Sequence, residues 1–316
     1  MSESLEEIVS PMPGEGSHFV GDLDIATMLV TLERGLLWAP LTDAVRSAAG
    51  SASVGVLATF FDVIASTPTL AACRPDWTAT QSLSLHATGW LVEGPIVVDV
   101  SLVRVGKKVV VVEAEIWDGH GFDDTTELLG AFGAQGDDAP APGRPEASRP
   151  GAGRPGDPTL AARGLLTFAR LPGTAGGAFA EGYDPKNSIG KVQRPAGDPP
   201  VGGTVWERIG LQVIDAPGGV TELERVPYIT NSIGTINGGA LAVMVERAAE
   251  VMRPGLVATD VQLQYLSQVK VGPARTRGVV SRDAADHSVV TIEILDHGAD
   301  DQILALATVT LQPPPG

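Results

Sequence analysis

The chain contains one pattern twice, and this internal repeat limits its fold more than any other feature of the sequence. The matching segments, first copy before second, are Ala79-Thr80 and Ala258-Thr259, Gly94-Pro95 and Gly272-Pro273, Glu113–Asp118 and Thr291–Asp296, and Thr167-Phe168 and Thr310-Leu311. The second and third pairs keep the same offset of 178 residues. Such a repeat indicates two similar folding units in one polypeptide.

Each copy is predicted to contain a helix, a strand, a long hairpin and a closing strand. The first helix is expected over about residues 54–66 and should end before Pro68, because proline disfavours helical backbone in the residue that precedes it. The second helix is expected over about residues 239–252, where apolar residues recur at helical spacing.

Alternating apolar and polar residues predict the hairpin strands. In the first copy these are about residues 96–102 and 109–116, and in the second about 273–282 and 289–296, with a closing strand at 303–312. One helix and one antiparallel sheet per copy define an α+β fold. Two such units side by side would cover each other's sheet edges.

The composition also suggests where the units begin and end. Residues 1–18 are expected to be loose, 19–172 to form unit 1, the Gly- and Pro-rich stretch 173–203 to link the copies, and 204–316 to form unit 2. Within unit 1, residues 133–158 are rich in Pro, Gly, Ala and Arg. They are expected to be a mobile excursion between strands at 128–132 and 160–171.

Charge and composition argue against several classes of function. With 22 basic and 38 acidic residues, and a formal net charge of −16, the chain is poorly suited to bind nucleic acid or an anionic membrane. No stretch of about 18 apolar residues and no signal peptide are expected, and one cysteine, Cys73, fits a cytoplasmic location. The five histidines show no metal-ligand spacing, so neither a metal nor another cofactor is expected.

The segment from Asn231 to Glu246 combines several features that suggest chemistry. Gly238 and Gly239 open a helix, whose first N–H groups have no partner within it. These donors and the helix dipole favour an anion, such as the oxygen of a carbonyl group under attack. Two turns later, Glu246 supplies a carboxylate that could attack directly or activate water. Glu246 could equally be a solvated surface acid, since it lies off the apolar stripe of its helix.

Asp62 occupies the corresponding place in the first copy, where Ser53–Gly55 matches Asn237–Gly239. Asp62 is the only charged residue between positions 47 and 73, and a lone carboxylate on an apolar helix is costly unless it is paired or used. A functional acid and an acid capped by nearby hydroxyl groups both stay open. With Val54 in place of the first glycine, the first copy would hold either a second site of altered specificity or a relic.

This segment resembles the motif of the PaaI-like acyl-CoA thioesterases of the hotdog superfamily. Their motif is Asn, then Gly, then His-Gly-Gly, then Asp or Glu nine residues after the His. The matching residues here are Asn231, Gly234, Gly238, Gly239 and Glu246. The repeated strand pattern extends the resemblance to about residues 205–312, and more weakly to 20–171. Asn237 stands where His is usual, and Asn can donate a hydrogen bond but cannot titrate.

The resemblance implies two hotdog units, each an antiparallel sheet wrapped around a long helix, that form an intrachain pseudo-dimer. It implies hydrolysis of an acyl-CoA or related thioester, with the Gly238 N–H as the main oxyanion donor. Asn231 would orient the loop or the attacking water, and Glu246 would be base or nucleophile. A homodimer of such chains is a further expectation.

Sites in this family form between two units, so a polar strand residue of one unit should face the helix acid of the other. The candidates are Thr80, Gln81 and Ser82 opposite Glu246, and Thr259 and Asp260 opposite Asp62. Gly239 would approach the substrate closely, and the acyl tail would run between the helices past Met244 and Phe60 or Phe61. Candidate contacts for CoA phosphates are Arg275, Arg277 and Lys270, with Arg104, Lys107 and Lys108 in the first copy, although solvated hairpins fit equally well.

Two other functions stay open. A hotdog hydratase or dehydratase requires a His paired with an acid near the helix, and neither predicted helix carries a His. A non-catalytic acyl-CoA-binding protein is compatible with Asn237 and with the degenerate first copy. The sequence has no phosphate loop, dinucleotide fingerprint or Gly-x-Ser-x-Gly elbow, so it offers no support for chemistry that depends on those motifs.

Overall fold

The computed structural model describes residues 7–10, 18–121, 125, 129, 132, 157–172, 184–195, 202–231, 233–284 and 286–314. The helices of this part are α1 (Val54–Cys73), α2 (Val205–Arg208) and α3 (Gly238–Met252). Short 3-10 turns lie at Gly21–Leu23, Asp43–Val45, Pro185–Ser188 and Pro227–Ile229. The strands are β1 (Glu7–Ser10), β2 (Ala26–Thr31), β3 (Arg34–Ala39), β4 (Trp77–Ala87), β5 (Ile96–Val105), β6 (Val109–Asp118), β7 (Thr159–Leu171), β8 (Val192–Pro195), β9 (Gln212–Asp215), β10 (Val220–Leu223), β11 (Val257–Tyr265), β12 (Ala274–Asp283), β13 (Ser288–Asp296) and β14 (Gln302–Gln312).

All these strands belong to one sheet, in the order β1-β8-β2-β3-β5-β6-β7-β4-β11-β14-β13-β12-β10-β9. The order is mirrored about the β4–β11 boundary, since β3-β5-β6-β7-β4 on one side corresponds to β10-β12-β13-β14-β11 on the other. β4 and β11 pair antiparallel, with Leu83 opposite Leu263 and Leu85 opposite Val261. The repeated sequence segments thus fall on equivalent strands.

The helices α1 and α3 pack against each other on one face of this sheet and fill a shared core. Two glycines allow the close approach. A Cβ at Gly55 would lie 2.7 Å from Val243 Cα, and a Cβ at Gly239 would lie 2.5 Å from Thr59 Cγ2. A smaller cluster around Trp38 and Trp117 lies apart from this main core.

Matched acidic residues hold matched loops in the two halves. The Asp118 carboxylate accepts hydrogen bonds from the N–H groups of Val92, Glu93 and Gly94 at 2.7–3.0 Å. Asp296 accepts from Lys270, Val271 and Gly272 at 2.7–3.1 Å. Both carboxylates are fully buried. The Asp that recurs in the sequence repeat thus holds the loop that contains the recurring Gly-Pro in each half.

The prediction that the first helix ends before Pro68 is wrong. α1 continues to Cys73, and Pro68, Thr69 and Cys73 are buried. An internal proline costs a helix about 3 kcal/mol. Burial of apolar surface by the last turns of α1 offsets that cost, which local propensity alone does not reveal.

The expectation that no segment is long and apolar enough to span a membrane is also wrong, because α1 meets that description by length and composition alone. α1 has 20 residues, and its best window has a mean hydropathy of 1.5. Of that window, 61% is buried inside the molecule, where α1 contacts α3 and the sheet. Its apolar composition is therefore accounted for by its place in the core.

Other elements differ in part from the predictions. The second helix and both hairpins form within a few residues of the predicted bounds. The strand predicted at 128–132 is wrong at Leu129 and Phe132, which are helical and pack in the cluster around Trp117. Within the predicted linker, β8 pairs with β2, and in the predicted loose N-terminus, β1 pairs with β8. The excursion at 133–156 lies outside the described residues, and the unit boundaries stay a prediction.

Candidate functional site

A cavity of about 530 Å³ opens between the middle of α1 and the N-terminus of α3. Its walls come from α1, the first residues of β4, the loop that leads into α3, and the end of β11. Asp62, Thr80, Asn237, Gly238 and Tyr265 all line it. The sheet brings both halves of the chain to this one space, because β4 and β11 are neighbours.

Asp62 is the carboxylate that faces this cavity. The Thr80 hydroxyl, on β4, donates a hydrogen bond of 2.6 Å to Asp62 Oδ1. Burial raises the pKa of Asp62 to about 6, against the opposing effect of the Thr80 hydrogen bond. A carboxylate with such a pKa can accept a proton near neutral pH and return it.

Gly238 begins α3 and presents the first N–H of the helix. Among the described residues this N–H has no acceptor, whereas the Gly239 N–H donates to Asn237 Oδ1 at 2.8 Å. Asn237 thus caps the helix with its side-chain oxygen, and its NH₂ group remains as a donor. The free N–H and the helix dipole together favour a partial negative charge in the cavity.

Tyr265, which no sequence pattern indicates, fixes the position of this helix terminus. Its hydroxyl donates a hydrogen bond of 2.9 Å to the Gly238 carbonyl oxygen. Burial, together with the nearby Asp62 charge, raises the pKa of Tyr265 well above its usual value, so the phenol stays protonated. A Cβ at Gly238 would lie 3.3 Å from the Tyr265 ring, which leaves little room for a side chain there.

Asn231 organises the loop that precedes α3. Its side-chain oxygen accepts from the N–H groups of Ile233 and Thr235 at 3.1 and 3.2 Å, and its backbone pairs with Thr235. Asn231 lines the cavity as well. These bonds fit the predicted orientation of the loop, and the alternative role of Asn231, orienting the attacking water, stays a prediction.

The prediction that Glu246 acts on a thioester bound at Gly238 is wrong, because the two residues do not share the cavity. Glu246 is only 3% exposed and does not line the cavity. Its carboxylate accepts hydrogen bonds from Val54 N at 2.8 Å, from Gly55 N at 3.2 Å and from the Ser53 hydroxyl. The antiparallel crossing of the helices directs each carboxylate to the N-terminus of the other helix, which a single-helix motif cannot show.

Burial raises the pKa of Glu246 against the effect of these three donors. Burial, and then the charge of Glu246, raise the pKa of the neighbouring Glu250. The helix α3 thus carries two buried acids outside the cavity.

The predicted strand partners are exchanged in the same way. Thr80 contacts Asp62 rather than facing Glu246, and Gln81 lines the cavity beside it. Ser82 bonds to the Thr167 hydroxyl and lies outside the cavity. Thr259 donates to Asp260 at 2.7 Å instead of facing Asp62. Gly239 is buried against Thr59 and serves helix packing, not a substrate contact.

The predicted acyl path is also wrong. Met244, Phe60 and Phe61 are fully buried in the core and do not line the cavity. The apolar part of the cavity wall consists instead of residues such as Val63, Leu70, Trp77 and Phe168. This wall follows the second half of α1 toward the start of β4.

The predicted phosphate contacts Arg275 and Arg277 are already paired. Arg275 bonds to Glu222 and Arg277 to Glu293, and neither lines the cavity. Arg225 does not line the cavity either, but its guanidinium donates to the carbonyl of Gly234, whose neighbours Ile233 and Thr235 line it. The loop from Val269 to Gly272 packs against Arg225, and Lys270 belongs to this loop.

His18 lies at the end of the predicted loose N-terminus, but it lines the cavity. Its Nε2 bonds to the Thr230 carbonyl at 3.1 Å, and its Nδ1 accepts from Val20 N at 3.3 Å. Burial lowers the pKa of His18 against the effects of Thr230 and Asp22. Both ring nitrogens are thus occupied by backbone groups, so His18 closes the cavity wall as a neutral residue. No cluster of potential metal ligands occurs in the part of the chain that the structure describes.

No family model and no curated protein sequence matches the chain. Solved structures do match its fold over most of its length. A protein of Lactobacillus plantarum described as an oleoyl thioesterase has a TM-score of 0.53 and 11% identity, over 93% of this chain and 97% of that one. The tesB protein of Mycobacterium avium subs paratuberculosis has a TM-score of 0.52 and 10% identity, over 94% and 98%.

The 12:0-ACP thioesterase of Umbellularia californica has a TM-score of 0.52 and 10% identity, over 90% of this chain and 95% of that one. At such identities the likeness concerns the fold alone. The chain therefore shares the fold of proteins named as thioesterases. The antiparallel sheet around long helices agrees with the predicted hotdog class.

Proposed function

We propose that the protein is a thioester hydrolase that acts on acyl-CoA or a related acyl thioester, with its active site in the cavity between Asp62 and Gly238. One observation carries the proposal: an acceptor-free N–H at the start of α3 shares a cavity with a carboxylate of raised pKa on α1. The mirrored strand order supports two hotdog units that form an intrachain pseudo-dimer. The fold shared with named thioesterases agrees with this class of reaction.

In the proposed mechanism, the thioester carbonyl oxygen lies against the Gly238 N–H. Asp62 accepts a proton from a water molecule, and the hydroxide formed attacks the carbonyl carbon. The negative charge that develops on oxygen is stabilised by the N–H and the helix dipole. When the carbon–sulfur bond breaks, the proton on Asp62 passes to the departing thiolate. Thr80 holds the Asp62 carboxylate in place, and Tyr265 holds the Gly238 peptide.

The acyl group would occupy the apolar part of the cavity along α1. Eight residues separate Asp62 from Leu70, which corresponds to about 12 Å along a helix. We therefore expect a fatty acyl chain of medium length, with its end near Leu70 and Trp77. Substitution of Leu70 by Trp should shorten the preferred chain in a panel of acyl thioesters.

The phosphate groups of the thiol carrier would meet Arg225 and Lys270. Both lie beside the lining residues Ile233, Thr235 and Val269, which we take as the mouth of the cavity. The first half has uncharged residues at the equivalent positions. Leu41 corresponds to Arg225, since Gly94 packs against Leu41 as Gly272 packs against Arg225, and Val92 corresponds to Lys270 by the repeat offset of 178 residues. Among the described residues, neither Arg225 nor Lys270 forms an ion pair, in contrast to Arg275 and Arg277. A local positive charge is needed here because the chain as a whole is strongly acidic.

The central test is a thiol-release assay with acyl-CoAs of increasing chain length. Asp62→Asn should lower kcat by about 100-fold or more, because the amide cannot accept the proton. Asp286→Asn is the matched control, since Asp286 is exposed and does not line the cavity. A folded Asp62→Asn variant with undiminished turnover would contradict the assignment.

A second assay tests the mouth. Arg225→Ala should raise KM for acyl-CoA several-fold and leave kcat nearly unchanged, and it should not affect a short N-acetylcysteamine thioester that lacks phosphate. Arg277→Ala, which removes an exposed and already paired charge, should change neither value. Equal effects of Arg225→Ala on both substrates would show that its role is structural.

Two alternatives remain testable in the same experiments. A non-catalytic acyl-CoA-binding protein would bind acyl-CoA in a calorimeter without releasing thiol. A hydratase or dehydratase requires a free His, and the only His in the described cavity wall has both ring nitrogens occupied. A cytoplasmic location and a homodimer of such chains stay proposals that rest on composition and on family resemblance.

A further inference from the structure

The N-terminus of α1 is the counterpart of the helix terminus in the cavity, but its donors are already used. Val54 N and Gly55 N donate to the two carboxylate oxygens of Glu246 at 2.8 and 3.2 Å, and the Ser53 hydroxyl donates to the same group. At α3 the equivalent Gly238 N–H has no acceptor among the described residues. One helix terminus is therefore filled and the other is open.

The two arrangements are otherwise closely equivalent. Gly55 and Gly239 form the points where the helices touch, and Asp62 and Glu246 each lie seven residues after the respective glycine. The two acids differ by one methylene group. The longer Glu246 reaches the N-terminus of the facing helix, whereas the shorter Asp62 is held by Thr80 at 2.6 Å.

Because Gly55 has no side chain, the Glu246 carboxylate can lie against the N-terminus of α1. A Cβ at Gly55 would lie 2.9 Å from Glu246 Oε2. Glu246 is 3% exposed and Ser53 is fully buried, so no route for an external ligand is visible at this terminus.

We infer that the N-terminus of α1 is a carboxylate-binding site that the protein's own Glu246 occupies. Each chain therefore has a single working site, at Gly238. The length of the helix acid decides which terminus is open. The carboxylate of Glu246 stands where a substrate oxyanion would lie in a working site. The comparison of the two termini rests on the proposed function, but the occupied anion site does not.

Truncation of the acid tests the occupied site without any assay of activity. Burial raises the pKa of Glu246 to about 7, so these variants are compared at about pH 8.5, where the wild-type side chain is the carboxylate. Glu246→Ala removes a group the size of acetate and leaves three donors unpaired, so its Tm should fall by several degrees. Added acetate should restore much of that loss in Glu246→Ala, whereas acetamide should not, and neither should stabilise the wild type. An equal response to acetate and acetamide, or none to acetate, would overturn the inference.

A second variant covers the case in which Glu246→Ala does not fold. Glu246→Gln keeps the shape but offers an NH₂ group to donors that need an acceptor, so its Tm should also fall, and acetate should not restore it. A Glu246→Gln variant as stable as the wild type would show that no anion is required there.

The role of side-chain length is tested by Asp62→Glu. The added methylene should let the carboxylate reach the Gly238 N–H and fill the working site, so kcat/KM should fall at least 100-fold although the acid is retained. A crystal structure should then show the new carboxylate on Gly238 N. Activity within three-fold of the wild type would overturn the length argument, whereas undiminished activity of Asp62→Asn would instead overturn the proposed function.

Discussion

At the scale of single residues, the proposed mechanism depends on the protonation of Asp62. Burial raises its pKa to about 6, so the carboxylate that acts as base predominates only above that pH. We predict that kcat/KM for an acyl thioester rises with pH through about 6 and then levels off. A rate that stays constant between pH 5 and 7 would contradict Asp62 as the base.

Thr80 adjusts this pKa through its hydrogen bond to Asp62. Because the bond stabilises the charged form, Thr80→Val should raise the pKa of Asp62. The acidic limb of the pH–rate profile should then shift to higher pH by roughly one unit. Thr80→Ser keeps a hydroxyl and should leave the limb near its original position. A limb that moves equally in both variants would point to altered packing instead.

The residues of the motif were predictable to different degrees. Glycine and helix-start signals indicate Gly238, the resemblance to the thioesterase motif indicates Asn231 and Asn237, and all three residues line the cavity. Glu246 was chosen by its spacing within one helix, but the partner of its carboxylate lies on another helix. Tyr265 was missed because its contact with Gly238 arises only when β11 folds back against α3.

At the scale of elements, two buried acids hold the loops that precede β5 and β12. Three backbone N–H groups lower the pKa of Asp296, against the effect of burial. A lowered folded-state pKa stabilises the fold above the unfolded pKa, and this contribution is lost as pH falls through the folded pKa. The loop is therefore most stable near neutral pH.

We predict that Asp296→Ala lowers the free energy of unfolding by about 3 kcal/mol, because three N–H groups lose their acceptor. Urea unfolding at pH 7 measures this value. The exposed Glu224→Ala is the control and should change it by less than about 0.5 kcal/mol. A loss for Asp296→Ala as small as that of the control would show that water replaces the carboxylate.

The contact between α1 and α3 requires glycine at position 239. An added methyl group would lie 2.5 Å from Thr59, so Gly239→Ala should destabilise the fold by about 2 kcal/mol. The double variant with Thr59→Gly should recover part of that loss in urea unfolding. If the two substitutions are simply additive, the helices do not meet at this point.

Element prediction succeeded where periodicity extends over many residues, as in α3 and both hairpins. It failed at Pro68, where burial outweighs the local cost of proline. It also failed at Leu129 and Phe132, which are helical and are buried in the apolar cluster around Trp117. In both cases tertiary contacts override local signals.

At the scale of the whole molecule, a sheet with mirrored strand order carries two helices whose N-termini differ: Glu246 occupies that of α1, and that of α3 lines the cavity. The sequence repeat predicted two related halves, and the mirrored strand order agrees with this prediction. Which half supplies the carboxylate that faces the cavity could not be predicted, because it depends on how the two helices cross. Both halves contribute to the cavity, since Asp62 and Thr80 come from one and Gly238 and Tyr265 from the other.

The most direct test of the account is a crystal structure of Asp62→Asn with an acyl-CoA bound. We expect the thioester carbonyl oxygen about 3 Å from the Gly238 nitrogen, with the acyl chain along α1 toward Leu70. A thioester bound outside this cavity, or with its carbonyl oxygen directed away from Gly238, would contradict the proposed site.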